Sequence, residues 1–211
     1  VEKIHALVLQ KIADYKPKGD LDGSAKFFLN LCKVKHPDVR NHVERVSLLS
    51  EAVAKRFGKD AKAAFFAGLL HDVGKLLLPY SLFDGHNISA EEYDLVKKHA
   101  MDGFLAIKDM HHFTALCAGL HHSLSQKGYG LTTADFPLSW SPATIKKVLE
   151  ISTFVSVADF IDAFTHRTTK IKDGSDSKTS DLAGMLKGKY PDDHLAIDVA
   201  LEENQVILAL E

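Results

Sequence analysis

The sequence predicts an all-α fold, a bundle of helices, on three observations. Apolar residues recur at helical spacing along nearly the whole chain. Clusters holding Gly and Pro punctuate that pattern at intervals that suit helices rather than strands. No pair of alternating apolar and polar runs reads as a hairpin.

The elements follow in order. Residues 2–14 carry Ile4, Leu7, Val8 and Ile12 at helix spacing, and Lys16-Pro17-Lys18-Gly19-Asp20 breaks the run. A second apolar stretch contains Phe27, Phe28, Leu29 and Leu31. Pro37 precedes a long helix over about 40–57, with Val43, Val46, Leu49, Val53 and Phe57 on one face and Gly58 as its stop. Residues 61–78 are rich in Ala and Leu and run into His71-Asp72-Val73-Gly74-Lys75, where Gly74 is read as the helix end. Residues 79–87 read as loop. Ser89-Ala90-Glu91-Glu92 has the form of a capping box and opens a helix expected to carry His99. A helix over about 110–122 and an irregular connection over 123–142 come next. A helix over about 142–164 then carries Ile145, Val148, Leu149, Ile151, Val155 and Ala158. Residues 168–180 read as loop, and the tail holds one helix from 181 and a second near 192–203.

The chain has 211 residues, 45% hydrophobic and 26% charged, which is enough for a substantial buried core. Net charge is −2 and Lys and Arg are scattered, which argues against duplex nucleic acid as a partner. No apolar run approaches a membrane span and no signal-peptide pattern is present, so no membrane partner is expected. Cys32 and Cys117 both sit among apolar neighbours and read as buried free thiols. That cysteine usage fits a reducing, cytoplasmic setting. The first residue is Val1, compatible with a longer parent protein.

Twelve histidines raise a metal question. His71 and Asp72 are adjacent at the end of an apolar helix; taken alone, the pair also reads as a helix cap. His42 shares a helix face with Val46, Leu49 and Val53, so it points toward the core, where taken alone it reads more often as a satisfied core histidine than as a ligand. Asp159 lies in line with Val155 and Ile151, so it too faces the apolar side. An inward carboxylate there needs a cation. Two histidines and two aspartates converging on one core make a mixed nitrogen and oxygen site suited to Fe, Mn, Zn or Ni. His99, His121 and His122 supply a second set, with Asp72 bridging two ions. Lys75, three residues after Asp72, is placed for a phosphate oxygen; a surface lysine at a helix end is the alternative.

His42, His71-Asp72 and Asp159 resemble the H…HD…D signature of the HD-domain metal-dependent phosphohydrolases. The resemblance extends toward the HD-GYP branch through Leu69 to Lys75, Leu82 to Glu92, Lys98 to Gly103, His121-His122 with Gly128-Tyr129-Gly130, and Ala158 to Thr165 with Arg167. It covers about residues 36–167. It implies an HD-domain helical bundle, with N-terminal helices over 1–35 packed on the metal-binding domain of 36–167 and a loop and C-terminal helices over 168–211. It also implies a first metal held by His42, His71, Asp72 and Asp159, and a second held by His99, His121 and His122 with the shared Asp72. The implied cofactors are two divalent ions, Fe or Mn ahead of Zn, Ni or Mg. Lys75 and Arg167 would contact substrate phosphate. Some relatives hold a third ion through a Glu four residues before the first histidine. Here that position is Asp38, which after Pro37 also reads as a helix cap.

The branch departs in one segment. After His121-His122 it carries an acid and then Asp-Gly-x-Gly-Tyr-Pro, whereas this chain has Ser123-Leu124-Ser125-Gln126-Lys127-Gly128-Tyr129-Gly130. Ser123 replaces the acid, the Asp-Gly pair is missing and Gly130 replaces Pro. Pro-Tyr-Arg after Arg167 is replaced by Thr168-Thr169-Lys170. The metal ligands stay intact while the segment that shapes substrate contacts in the branch does not. The expected function is hydrolysis of a phosphodiester, a cyclic dinucleotide such as cyclic di-GMP or another nucleotide phosphate ester, by a metal-bound hydroxide. The alternatives are a non-catalytic signalling module that binds a nucleotide or protein, and a di-iron oxygenase. A signalling-protein partner or a homodimer is compatible with either of the first two.

Overall fold

A computed structural model describes residues 1–126, 128–166 and 181–211. Among them there is no strand, in agreement with the all-α expectation. The helices are α1 (Glu2–Tyr15), α2 (Leu21–Lys35), α3 (Pro37–Arg56), α4 (Ala61–Leu70), α5 (Ala90–Lys97), α6 (His99–Ile107), α7 (His112–Leu120), α8 (Pro142–His166), α9 (Leu182–Lys189) and α10 (His194–Leu208). Short 3-10 turns span Val73–Leu77, Tyr80–Phe83 and Thr133–Asp135. No helix among the described residues is long and apolar enough to cross a membrane. Residues 168–180, read above as loop, lie outside the described residues.

Helix α3 is central and packs against α1, α2, α4, α8 and α10. It starts at Pro37, whose missing N–H costs nothing at a first turn, and it stops where Gly58 takes φ +61°. Helix α4 is apolar all round, and every residue from Ala64 to Leu70 is buried. It lies tightly on α3: a Cβ on Gly68 would come within 2.9 Å of the Ser47 Cα and 3.0 Å of the Val46 carbonyl oxygen. Asp60 caps its start by accepting from the Ala63 N–H at 2.9 Å. Helices α7 and α8 close the other side of α4, with Leu116, Leu120, Ile151 and Ile161 in the shared core.

Helix α1 buries Ile4, Val8 and Ile12 and is tied to α3 by a hydrogen bond between His5 Nδ1 and Glu44 Oε1 at 2.6 Å and an ion pair between Lys11 Nζ and Glu51 Oε2 at 2.8 Å. Cys32 and Cys117 are free and fully buried, as the sequence suggests.

Three local expectations are corrected. Helix α4 ends at Leu70, and Gly74 stands inside the following 3-10 turn rather than at a helix end. The Ser89–Glu92 capping box forms as expected, but its helix α5 stops at Lys97, and His99 opens the separate helix α6. Asp38 makes no capping bond; His36 holds the N-cap position of α3, and Asp38 adds negative charge to the first turn.

Candidate metal centre

Five elements deliver side chains to one point. His42 comes from the second turn of α3, His71 and Asp72 from the chain just past α4, His99 from the first residue of α6, His121 and His122 from the end of α7, and Asp159 from α8. Three of the histidines are oriented by the same local device. The Nδ1–H of His71 donates to the Gly68 carbonyl at 2.7 Å, that of His99 to the Val96 carbonyl at 2.6 Å, and that of His121 to the Ala118 carbonyl at 2.6 Å. A carbonyl only accepts, so each Nδ1 carries the proton and each Nε2 presents a lone pair.

Asp72 is fully buried and its two oxygens face different partners. Oδ2 lies 3.4 Å from His42 Nε2 and 3.3 Å from His71 Nε2. Oδ1 lies 3.3 Å from His99 Nε2 and 3.9 Å from His121 Nε2. Asp159 Oδ1 closes the first set, 3.1 Å from His42 Nε2 and 3.8 Å from His71 Nε2. Its Oδ2 reaches toward His122 Nδ1 at 3.9 Å. Donor atoms of His42, His71 and Asp159, of His71, Asp72 and His121, and of His99, His121 and His122 each fall within 4.8 Å of one another. All seven residues singled out from the sequence are thus brought together.

The donor set fits divalent cations on two counts. His71 Nε2 and Asp72 Oδ1 are buried with no hydrogen-bond partner, a costly state for two groups that converge. The Nε2 atoms of His99 and His121 stand 3.3 Å apart. With both lone pairs aimed inward, that approach calls for a positive charge between them.

Electrostatics divide the site. Burial drives the pKa of His121 well below 6.5, helped by neighbouring histidines, and lowers that of His99 against the pull of Asp72. Burial pushes His122 down to about 3 against Asp159. These three rings are neutral at pH 7 and free to ligate. Burial also opposes charge on His42, but bonds to Asp159, Asp162 and Asp72 outweigh it and hold its pKa well above 6.5. A metal ion entering on that side would displace a proton from His42.

Lys75 Nζ sits 2.5 Å from Asp72 Oδ2, so its ammonium stands on the rim of the site rather than out in solvent. Arg167, the other candidate phosphate contact, lies outside the described residues.

The structure adds residues that the sequence reading passed over. The Nδ1–H of His42 donates to Asp162 Oδ2 at 2.7 Å, and Arg45 grips both oxygens of Asp162 at 2.5 and 3.0 Å. His166 Nδ1 adds a contact to Asp162 Oδ1 at 3.1 Å. Asp162 lies one turn beyond Asp159 and Arg45 one turn beyond His42, the spacing that could have revealed them. Tyr129, from the altered segment, packs against His122 with ring centroids 4.6 Å apart and the planes tilted by 32°. Removing Asp162 should loosen His42 without deleting a ligand. Asp162→Ala is expected to weaken metal retention by about 10–100-fold, read by competition with a chelator. Unchanged chelator competition would rule out this positioning role.

The HD domain family model matches residues 39–165, more than half of the chain. The 3'3'-cGAMP-specific phosphodiesterase 1 of Vibrio cholerae serotype O1 is 27% identical over 150 residues, 67% of this chain and 32% of that protein. The chain therefore spans about a third of the length of the curated relative it matches. Among solved structures, the HD domain of the L. monocytogenes phosphodiesterase PgpH aligns with a TM-score of 0.55 at 17% identity, over 86% of this chain and 95% of that one. The same domain in complex with cyclic-di-AMP aligns with a TM-score of 0.52 at 18% identity, over 87% and 93%. At such identity the likeness is one of fold. With the family pattern running from Val39 to Thr165 and its histidines and aspartates gathered on one centre, this chain belongs to the HD domain family.

Proposed function

We propose that this chain is a metal-dependent phosphodiesterase of HD-GYP type with an altered GYP segment, acting on a cyclic dinucleotide or another nucleotide phosphate ester. The observation that carries the reading is Asp72, whose two oxygens face two separate sets of donors. His42, His71, Asp72 and Asp159 would hold one ion, and His99, His121 and His122 with Asp72 a second. Mixed imidazole and carboxylate donors suit Fe or Mn. Bound divalent ions would acidify water toward neutral pH and offset charge on phosphoryl oxygens.

The protein's own residues set how substrate arrives. His71, Asp72, His99 and His121 form a buried floor, each at most 1% exposed. His42, Asp159, Lys75 and His122 form the rim, with 13%, 13%, 18% and 23% of their side chains exposed. A phosphate therefore enters from the rim, where Lys75 offers its ammonium. There the ammonium exchanges part of its bond to Asp72 for a phosphoryl oxygen and fixes the ester over the floor. The relative's specificity for 3'3'-cGAMP and the cyclic-di-AMP complex of the structural neighbour support a cyclic dinucleotide as substrate.

Protein purified without added metal should contain about two divalent ions per chain and hydrolyse 3'3'-cGAMP, cyclic di-AMP or cyclic di-GMP, with loss of turnover on chelation. A metal-free protein would refute the reading. Bound metal with no turnover of these compounds or of bis-p-nitrophenyl phosphate would favour a signalling module that binds without hydrolysis.

A further inference from the structure

One end of the rim carries an aromatic group that the metal chemistry leaves unused. The chain from Val73 to Phe83 runs as two 3-10 turns, so Lys75 and Phe83 belong to one short stretch. Lys35 pins that stretch through its ammonium, bonded to the Leu76 carbonyl at 2.5 Å and the Leu78 carbonyl at 3.1 Å. Lys75 Nζ stands over one face of the Phe83 ring, 5.8 Å from its centre. Behind it stands His36, 1% exposed, edge-on to Phe83 at 5.3 Å and stacked on Tyr80 at 5.7 Å with 28° between the planes. Burial and the Lys35 charge hold the His36 pKa below 6.5, so this ring is neutral at pH 7. Tyr80 is 52% exposed. The result is a three-ring ledge, with His36 buried, Phe83 half-buried and Tyr80 exposed at its outer end, beside the lysine proposed to meet phosphate.

We propose that Phe83, backed by His36 and Tyr80, is a stacking ledge for one nucleobase of the substrate, placed so that Lys75 takes the phosphate of the same nucleotide. This rests on the phosphodiesterase reading above. The separation between Lys75 and Phe83 is of the order that one ribose bridges between phosphate and base. Stacking on an aromatic face is tolerant of base identity, so the ledge selects a nucleotide over a simple phosphate ester. It does not select one base over another.

The test uses ligands with and without a base. In Phe83→Trp, addition of AMP should quench a fluorescence signal absent from the wild type, whose single tryptophan is Trp140. Ribose 5-phosphate should not quench it. In Phe83→Leu, AMP binding should weaken about tenfold, ribose 5-phosphate binding should hold, and KM for 3'3'-cGAMP should rise with kcat kept. Tyr80→Ala, at a half-exposed position that tolerates truncation, should shift AMP binding in the same direction by a smaller factor. A wild type that hydrolyses 3'3'-cGAMP while Phe83→Leu keeps the same KM overturns the ledge and leaves the phosphodiesterase reading standing. Equal weakening of AMP and ribose 5-phosphate also overturns it. A wild type that binds neither ligand and turns over no cyclic dinucleotide overturns both.

Discussion

Asp72→Ala should leave the protein folded, strip it of both proposed metal ions and lower the proposed phosphodiester turnover by about 10³-fold or more. The expectation follows from the carboxylate's placement. Its oxygens face His42 and His71 on one side and His99 and His121 on the other, so one truncation removes a ligand from each set. Loss of the anion also leaves Asp159 as the one carboxylate among the seven predicted ligands to offset the charge of the proposed cations. The fold should survive. Asp72 makes no capping bond for the turn it precedes, and Lys75, its ion-pair partner, reaches water at the rim. His121→Ala provides the contrast. It empties the His99, His121 and His122 set while leaving His42, His71 and Asp159, so about one ion per chain should remain. Elemental analysis of the two variants, with circular dichroism to confirm folding, decides the matter. Full metal content in Asp72→Ala would refute the bridging role.

How much of this centre was legible depended on how local its causes are. Helix α4 could be read because it is apolar on every side, and a run of that kind has nowhere to go but the interior. His42 could be aimed inward from its place in line with Val46 and Val53, and Asp159 from Val155, because helical phase is a property of a single segment. The clamp on His42 was only half legible in this way: helical spacing marks Arg45 and Asp162 but does not pair them. Asp162 and Arg45 lie on different helices, and their pairing at 2.5 Å exists because α3 and α8 face each other. The break at Lys98 has the same origin. No Gly or Pro stands there, and the turn is imposed by α6 packing against α7 and the Val73–Leu77 turn. The altered GYP segment read as lost substrate machinery. The Leu131 N–H nevertheless bonds the Gly119 carbonyl at 2.9 Å, which lays the segment across α7 and puts Tyr129 against His122. Composition marks a departure from a motif; contact shows what the remaining residues still do.

Gly74 is where local reading and tertiary demand part most sharply, and Gly74→Ala should be among the most damaging single-atom changes in the chain. Its φ is not in the left-handed region, so alanine meets no backbone obstacle there. Space is the obstacle. A Cβ would lie 2.1 Å from the His99 carbonyl oxygen and 2.7 Å from the Gly103 N, both main-chain atoms of α6. No side-chain rotation relieves a clash with backbone, so α6 must move off the Val73–Leu77 turn. Such overpacking costs about 3 kcal/mol, or a fall in Tm of roughly 6–12 °C for a chain of this size. The displacement also carries His99 away from Asp72 Oδ1, now 3.3 Å distant, because His99 is the first residue of the helix that shifts. The variant should therefore lose the ion of the His99, His121 and His122 set before that of the His42, His71 and Asp159 set. Thermal unfolding read by circular dichroism, together with metal content per chain, tests both halves. A Gly74→Ala protein with wild-type Tm and about two ions per chain would mean that α6 and the turn are free to separate at no cost. The proposed second metal set would then lack the rigid support that holds His99 in place.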